Sequence, residues 1–306
     1  MATVLDRLMT GASADRPDGH RVLPHHFLLG HPWRRCDTVL VTPEHVSPLQ
    51  DPAGRSGPDV DRGIVIALGV LAAHNLAQNL FLNERGYISG NLVVSAALLG
   101  IGRSAGLSWQ EIGIELSALR PGLRIGLGTA TLTAAGAGLA LAHPRGRAIL
   151  EDKRAMTGRG AEVWQRALLR FPLGTALFEE VAFRGVLTAL LRRAHPPFRA
   201  EATSVAAFAL WHVIPTGRAL TANPLTHDSV GVRRLGGVAA GSVVAGLGGI
   251  IFGRMRRSTG SLLAPWLAHS SFNTISYLSG VAALRLAERR RRVGSARYVG
   301  SNPCQF

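Results

Sequence analysis

The chain has 306 residues, of which 47% are hydrophobic and only 17% are charged. Soluble domains carry about 25% charged residues, so this composition is too poor in charge for a typical soluble protein of that length. The formal net charge is +15, and apart from Lys153 the basic residues are arginines. These arginines lie between apolar segments and not in one patch, which is typical of membrane flanks and predicts no nucleic-acid partner.

The first 62 residues differ in composition from the rest of the chain. Residues 1–62 are rich in Pro, Asp, Arg and His and have no sustained hydrophobic period. Such a segment predicts a disordered tail, which we expect to be cytoplasmic. Its histidines lack the cysteine partners and the fixed spacing of a metal site, so they indicate a solvated segment.

Seven apolar stretches follow and predict a transmembrane domain over residues 63–284. A helix needs about 20 apolar residues to cross the hydrocarbon core of a bilayer. The stretches are residues 63–83, 87–102, 122–142, 168–191, 202–215, 235–253 and 262–284. The last one is long enough for one tilted helix, or for two that break near Ser279 and Gly280. The predicted fold is therefore all-α, a polytopic membrane helix bundle of seven or eight transmembrane helices.

Spacing and charge add two features to this bundle. Gly237 with Gly241, and Gly249 with Gly253, have the small-xxx-small spacing that lets membrane helices approach closely. Residues 285–306 form a basic C-terminal tail. Charge does not fix the orientation of the bundle. A cytoplasmic N-terminus would place the basic connections at residues 192–199 and 254–257 inside, but it would leave the equally basic residues 145–170 outside.

Three charged residues lie within six positions in the middle of the fourth apolar stretch. A charge at the bilayer centre costs roughly 2.5 to 3.5 kcal/mol on insertion scales, so Glu179, Glu180 and Arg184 indicate a functional site. On a helix, Glu180 and Arg184 share a face, whereas Glu179 points about 100° away from Glu180. This predicts an ion pair between Glu180 and Arg184 that leaves Glu179 free for chemistry. An ion-pair cluster that only fixes helix packing would contain the same three residues.

Two later stretches supply histidines and an amide. His212 lies in the fifth stretch, and His269 lies four residues before Asn273 in the seventh. Two imidazoles and a carboxylate can hold Zn²⁺ with an open position for water, or can activate that water without a metal. Asn273 is suited to donate to the oxyanion that forms when a peptide carbonyl is attacked. Trp211 and Trp266 lie beside the histidines and are predicted to pack.

The first stretch carries a polar stripe. His74, Asn75, Gln78 and Asn79 recur with helical spacing in an otherwise apolar segment. Such a stripe can line a substrate path or form hydrogen bonds between helices. Hydrogen bonding is the favoured interpretation, because polar side chains commonly join helices in a bilayer.

The charged and polar positions form three motifs in a fixed order. They resemble the motifs of the CPBP (CAAX prenyl endopeptidase and bacteriocin-processing, or Abi) family of intramembrane proteases, whose pattern is E-E-x-x-x-R, then F-x-x-x-H, then H-x-x-x-N. The matching positions are Glu179-Glu180-x-x-x-Arg184, Phe208-x-x-x-His212 and His269-x-x-x-Asn273. The resemblance covers about residues 168–280.

The resemblance implies a membrane metalloendopeptidase similar to the type 2 CAAX prenyl proteases. In that family Glu179 would act on water, and His212 and His269 would bind the metal or that water. The implied metal ligands are Glu179, His212 and His269, and the expected ion is Zn²⁺. Asn273 would stabilise the oxyanion. By the same resemblance Glu180 and Arg184 are supporting residues of the site.

The expected substrate is a membrane-associated protein or peptide, and the expected surroundings are a lipid bilayer. Basic residues that are almost all arginine are typical of a GC-rich bacterial genome, so we expect a bacterial cell membrane. Two alternatives stay open. One is a catalytically silent immunity or scaffold protein that keeps the motifs for packing. A proton-coupled transporter is less favoured, because the first half of the chain has no second copy of the glutamate segment.

Overall fold

The computed structural model describes residues 57–82, 84–150, 160–222 and 230–300. Within these ranges the chain is 91% helical and has no strand, which confirms the all-α prediction. Most of the predicted N-terminal tail, residues 1–56, lies outside the described residues. The helical part begins at Pro58.

Eleven α-helices and three other helical segments follow in chain order within the described ranges. The α-helices are α1 (Pro58–Leu80), α2 (Glu84–Ser104), α3 (Trp109–Ile112), α4 (Leu119–Ala142), α5 (Pro144–Leu150), α6 (Ala161–Gln165), α7 (Thr188–Ala194), α8 (Pro197–Trp211), α9 (Val213–Ala222), α10 (Gly231–Thr259) and α11 (Leu263–Gly300). A 3₁₀ turn spans Leu116–Ala118, and π-helical segments span Arg166–Leu177 and Glu180–Leu187. Residues 161–194 run without a break through both π segments and are called the glutamate helix below.

Six of the seven predicted stretches each overlap one continuous helical segment, and α11 continues unbroken through Ser279 and Gly280. The fifth, residues 202–215, is divided between α8 and α9 at His212. Among the described residues, three helices are long and apolar enough to cross a bilayer: Pro58–Leu80, Trp109–Ala142 and Gly231–Thr259. Helix α8 has only 15 residues, or about 22 Å, which is shorter than the hydrocarbon core. The count of seven or eight spans therefore stays a prediction.

A proline inside the glutamate helix fixes the position of α11. Pro172 has no N–H, so in the π register the carbonyl of Ala167, five residues earlier, loses its partner. Thr274 of α11 replaces that donor, with Oγ1 at 2.8 Å from the carbonyl oxygen. Nearby, Trp266 Nε1 donates to the carbonyl of Pro172 at 2.8 Å. Trp266 thus hydrogen-bonds as well as packs, and both bonds hold α11 against the glutamate helix on either side of His269.

The glycines of α10 lie against neighbouring helices, as their spacing predicts. A Cβ atom on Gly241 would be 2.5 Å from Thr216 Cγ2 of α9, a distance that real atoms do not adopt. Two turns later, a Cβ atom on Gly249 would be 3.2 Å from Phe208 Cδ1 and 3.3 Å from Arg184 Nη2. The absence of side chains at these positions lets α10 approach the two helices that carry the first two motifs.

The polar stripe of α1 forms hydrogen bonds between helices. His74 Nε2 lies 2.5 Å from Asn91 Oδ1 of α2, and Asn91 Nδ2 donates to the carbonyl of Gly174 at 2.7 Å. Asn75 Nδ2 donates to the carbonyl of Trp211 at 3.0 Å. These contacts confirm the favoured interpretation for His74 and Asn75, and they connect α1 with α2 and α8. The side chain of Asn79 bonds to Asn75 within α1, and Oε1 of Gln78 has no partner among the described residues.

The short helix α3 joins the end of the glutamate helix to the start of α11. The side chains of Ser108 and Glu111 form a capping box that begins α3. Arg193 binds both carboxylate oxygens of Glu111, each at 2.8 Å. Beyond α3, the carbonyl of Gly113 accepts a hydrogen bond from the N–H of Leu262 at 3.0 Å, immediately before α11.

Replacing Thr274 with Val should destabilise the bundle, because the carbonyl of Ala167 would lose its donor while the side-chain volume stays the same. We expect the free energy of unfolding in detergent to fall by about 0.5 to 2 kcal/mol. Thr129→Val is the matched control, because Thr129 bonds the carbonyl of Ile125 within its own helix on an exposed face. Equal losses in the two variants would contradict this account of Pro172.

Candidate active site

Three of the predicted site residues come together from three helices. Glu179 lies in the middle of the glutamate helix, His212 directly follows α8, and His269 lies in the second turn of α11. Oε2 of Glu179 is 4.0 Å from Nε2 of His212 and 3.8 Å from Nε2 of His269. One carboxylate oxygen therefore lies close to two imidazole nitrogens, one from each histidine.

Most of this cluster is closed off from its surroundings. Glu179 is 5% exposed, Glu180 is fully buried, and Arg184 and His269 are also buried. The side chain of His212 is 25% exposed. His212 is thus the most exposed of these five groups, while the other four are held in an interior of low dielectric constant, where electrostatic interactions are stronger than in water.

The second glutamate holds the arginine and one histidine. Oε1 of Glu180 lies 3.3 Å from Nη1 of Arg184, which confirms the predicted ion pair. The same oxygen accepts a hydrogen bond from Nδ1 of His269 at 2.9 Å. Because Nδ1 carries the hydrogen in this bond, neutral His269 presents an unprotonated Nε2 to Glu179.

His212 is oriented in the same way, although by a backbone group. Its Nδ1 lies 2.8 Å from the carbonyl oxygen of Phe208, one turn earlier, so Nδ1 is the donor. The ring of Phe208 also contacts the imidazole, with centroids 4.5 Å apart. Neutral His212 therefore also directs a lone pair of Nε2 towards Glu179.

The two oxygens of Glu179 have different surroundings. Oε1 accepts a hydrogen bond from Nε1 of Trp211 at 3.2 Å. Oε2 is buried and has no hydrogen-bond partner among the described residues. A buried carboxylate oxygen without a partner is costly, by about 1 to 3 kcal/mol, and such atoms usually mark a place for water, an ion or a substrate. Trp211, predicted only to pack, orients Glu179 as well.

Aromatic rings cover the arginine and the second histidine. The guanidinium of Arg184 lies 3.8 Å from the ring centroid of Phe208. Phe252 of α10 stacks on His269 with centroids 4.8 Å apart, and it also faces Arg184 at 5.4 Å. Phe252 belongs to none of the three motifs, and sequence reasoning missed it. The one feature of the sequence that could have indicated Phe252 is its position one turn after Gly249, which packs against Phe208 and Arg184.

The remaining predicted residue is less closely connected. Asn273 follows His269 by four residues in α11, so the two side chains share a face of that helix. Asn273 is half-buried. In the described part of the chain, no hydrogen bond joins it to the other five site residues. Its amide is thus available to a bound group.

Residues 163–275 match a protein-family model, that of the type II CAAX prenyl endopeptidase Rce1-like proteins. The matched segment includes all three motifs. This match supports the assignment of the segment to the CPBP family. No curated protein and no solved structure matches the chain. The match and the three apolar helices in the described part together support an integral membrane protein similar to CAAX-protease-like intramembrane endopeptidases.

The donor atoms of the candidate site are of the types found in catalytic zinc centres. Two imidazole nitrogens and a carboxylate oxygen are a known ligand set, and Glu179 Oε2 has no other partner. Tetrahedral zinc holds its donors about 3.4 Å apart, slightly less than the 3.8 and 4.0 Å measured here. Within the described ranges, no three His, Cys, Asp or Glu side chains form a ready metal cluster as they stand. The residue types are those of a zinc site, and their separations are longer than those of a formed one.

The two glutamates of the candidate site should differ in their effect on stability. Glu180→Gln would leave the charge of Arg184 buried without its carboxylate, and we expect a loss of about 3 kcal/mol in the free energy of unfolding. Glu179→Gln removes a charge that forms no short ion pair with Arg184, so its loss should be clearly smaller. Unfolding of both variants in the same detergent measures this difference. Equal losses would contradict the division of roles between the two carboxylates.

Proposed function

We propose that the protein is an intramembrane endopeptidase that hydrolyses a peptide bond of a membrane-associated protein or peptide. The observation that carries the proposal is the buried Oε2 of Glu179, which has no hydrogen-bond partner in the described part of the chain and faces two imidazole nitrogens. A water molecule bound to this oxygen and to one Nε2 would have an acceptor for its proton. Such a water is a nucleophile prepared to attack a carbonyl carbon.

In the proposed reaction, Glu179 acts first as a general base and then as a general acid. Its carboxylate takes a proton from the water while the water oxygen attacks the peptide carbonyl carbon. The carbonyl oxygen becomes an oxyanion, to which Asn273 would donate a hydrogen bond. Glu179 then gives the proton to the leaving nitrogen, the C–N bond breaks, and one carboxylic acid and one amine are released.

Glu180 and Arg184 would act through His269 and not on the substrate. The hydrogen bond from Nδ1 of His269 to Glu180 fixes the orientation of the ring, and Arg184 holds Glu180. Partners of this kind keep a catalytic imidazole in one tautomer. They are positioning residues for the same reaction.

Zinc is the cofactor that these residues would hold, through Glu179, His212 and His269. When bound, a zinc ion supplies a hydroxide at neutral pH and polarises a carbonyl group. The role of Asn273 and the positioning by Glu180 and Arg184 are the same with or without the ion. A silent scaffold is less well supported, because two imidazole nitrogens from separate helices lie near the buried Oε2 of Glu179, an arrangement that packing alone does not require.

Proteolysis by the purified full-length protein tests the proposal directly. Reconstituted in liposomes with a peptide library, the wild-type protein should cleave a subset of peptides. Glu179→Gln and His269→Ala should lower the rate by a factor on the order of a thousand or more, because each removes part of the water-activating group. Glu162→Gln is the matched control, since Glu162 is exposed in α6. Equal turnover in all four proteins would contradict the proposal.

Treatment with a chelator tests the zinc proposal separately from the protease proposal. If zinc is the cofactor, chelation should abolish cleavage, added Zn²⁺ should restore it, and the zinc content of the Glu179→Gln protein should fall. Cleavage that survives chelation would exclude the zinc and leave the carboxylate mechanism in place.

Trp211→Phe should slow cleavage while leaving the fold intact. The indole N–H holds Oε1 of Glu179, so its loss lets the carboxylate turn away from the two histidines. We expect kcat to fall by about 10- to 100-fold with little change in KM. Trp164→Phe, at an exposed tryptophan of α6, is the control. An unchanged kcat would leave Trp211 with a packing role only.

A further inference from the structure

An apolar groove with a charged mouth lies between α8 and α10, outside the candidate active site. We call it the α8/α10 groove, and its volume is about 590 Å³. Its walls are small and apolar, from Ala202, Val205, Ala206, Ala209 and Ile250. Its mouth carries Arg192, Glu201 and Arg257, where α7 ends, α8 begins and α10 ends.

The mouth holds more positive than negative charge. Glu201 is paired on both oxygens, with Arg192 Nε at 3.5 Å from Oε1 and Arg257 Nη1 at 2.6 Å from Oε2. Two guanidinium groups therefore share one carboxylate, which leaves an excess positive charge at this position.

Arg192 and Arg257 each have N–H groups that Glu201 does not use. Each guanidinium has five N–H groups, and the contacts with Glu201 use one nitrogen atom of each. The side chains of Arg192 and Arg257 are 43% and 37% exposed. A phosphate group matches this arrangement, because its oxygens accept several N–H bonds from guanidinium groups.

The depth of the mouth corresponds to the headgroup region of a bilayer. Helix α10 has 29 residues, about 43 Å, and is longer than a hydrocarbon core of about 30 Å. Arg256 and Arg257 lie in its last turn, beyond the apolar part. Phe198, at the start of α8 and on the same groove, is 83% exposed, as interfacial aromatic residues often are. The apolar walls below the mouth face the acyl chains.

We propose that the α8/α10 groove binds a phospholipid with an anionic headgroup. The phosphate would lie between Arg192 and Arg257, and one acyl chain would lie along Val205, Ala206 and Ala209. The attraction is that of a basic pocket between membrane helices for an acidic lipid. This proposal does not depend on proteolytic activity, because the residues that line the groove include none of the predicted site residues.

Native mass spectrometry of the full-length protein in detergent tests this site with defined lipids. Phosphatidylglycerol should bind on the order of tenfold more tightly than phosphatidylcholine of the same chain length. The double variant Arg192→Gln/Arg257→Gln should lose this preference. Arg254→Gln is the matched control, since Arg254 is exposed in the same region of α10 but does not line the groove, and it should bind as the wild type does.

A second variant tests the acyl-chain part without changing any charge. Ala206→Phe fills the groove and should weaken binding of phosphatidylglycerol, even if the double arginine variant fails to fold. Inorganic phosphate at equal concentration should not displace the lipid. Equal binding of the two lipids, an unchanged preference in the double variant, full binding by Ala206→Phe, or displacement by phosphate would each overturn the proposal.

Discussion

His269 donates a hydrogen bond from Nδ1 to Glu180, and this bond decides where the other ring nitrogen points. With the ring fixed, Nε2 of His269 faces Glu179. Oε2 of Glu179 therefore lies near the imidazoles of both His212 and His269. The bond depends in turn on Arg184, which holds Glu180 in a fully buried position. Without this chain of contacts, the three motifs would share a bundle but not a site.

The proposed site is thus built around two adjacent glutamates that play unlike parts. The carboxylate of Glu180 pairs with a guanidinium and with Nδ1 of His269, whereas Glu179 places Oε2 close to two imidazole nitrogens. Each of the two carboxylates keeps one buried oxygen without a hydrogen-bond partner among the described residues. The π-helical segments on both sides of Phe178 and Glu179 belong to this design, because such segments occur often at functional sites and widen the helix locally. The hydrogen bonds from Thr274 and Trp266 then fix the position of α11 along the widened helix.

The sequence indicated which charged and polar residues the structure brings together better than it indicated the contacts that hold them in place. Glu179, Glu180, His212 and His269 stood out because charged and polar groups are rare in apolar helices, and the pairing of Glu180 with Arg184 followed from helical spacing. The hydrogen bond of Trp211 and the stacking of Phe252 depend on distances between helices, which periodicity does not contain. The π segments also escaped prediction, since apolar spacing cannot distinguish them from α-helix. The number of spans needs boundaries that hydropathy alone does not give.

Gly249 gives this architecture a vulnerable point outside the motifs. Its Cα faces the ring of Phe208 and the guanidinium of Arg184, and even one added carbon would touch both. A bulky residue there would leave every motif letter unchanged while displacing the cation that holds Glu180. Homologues with complete motifs can therefore include pseudoenzymes, and a survey that aims to separate them from working members should inspect this position of α10 as well as the motif residues.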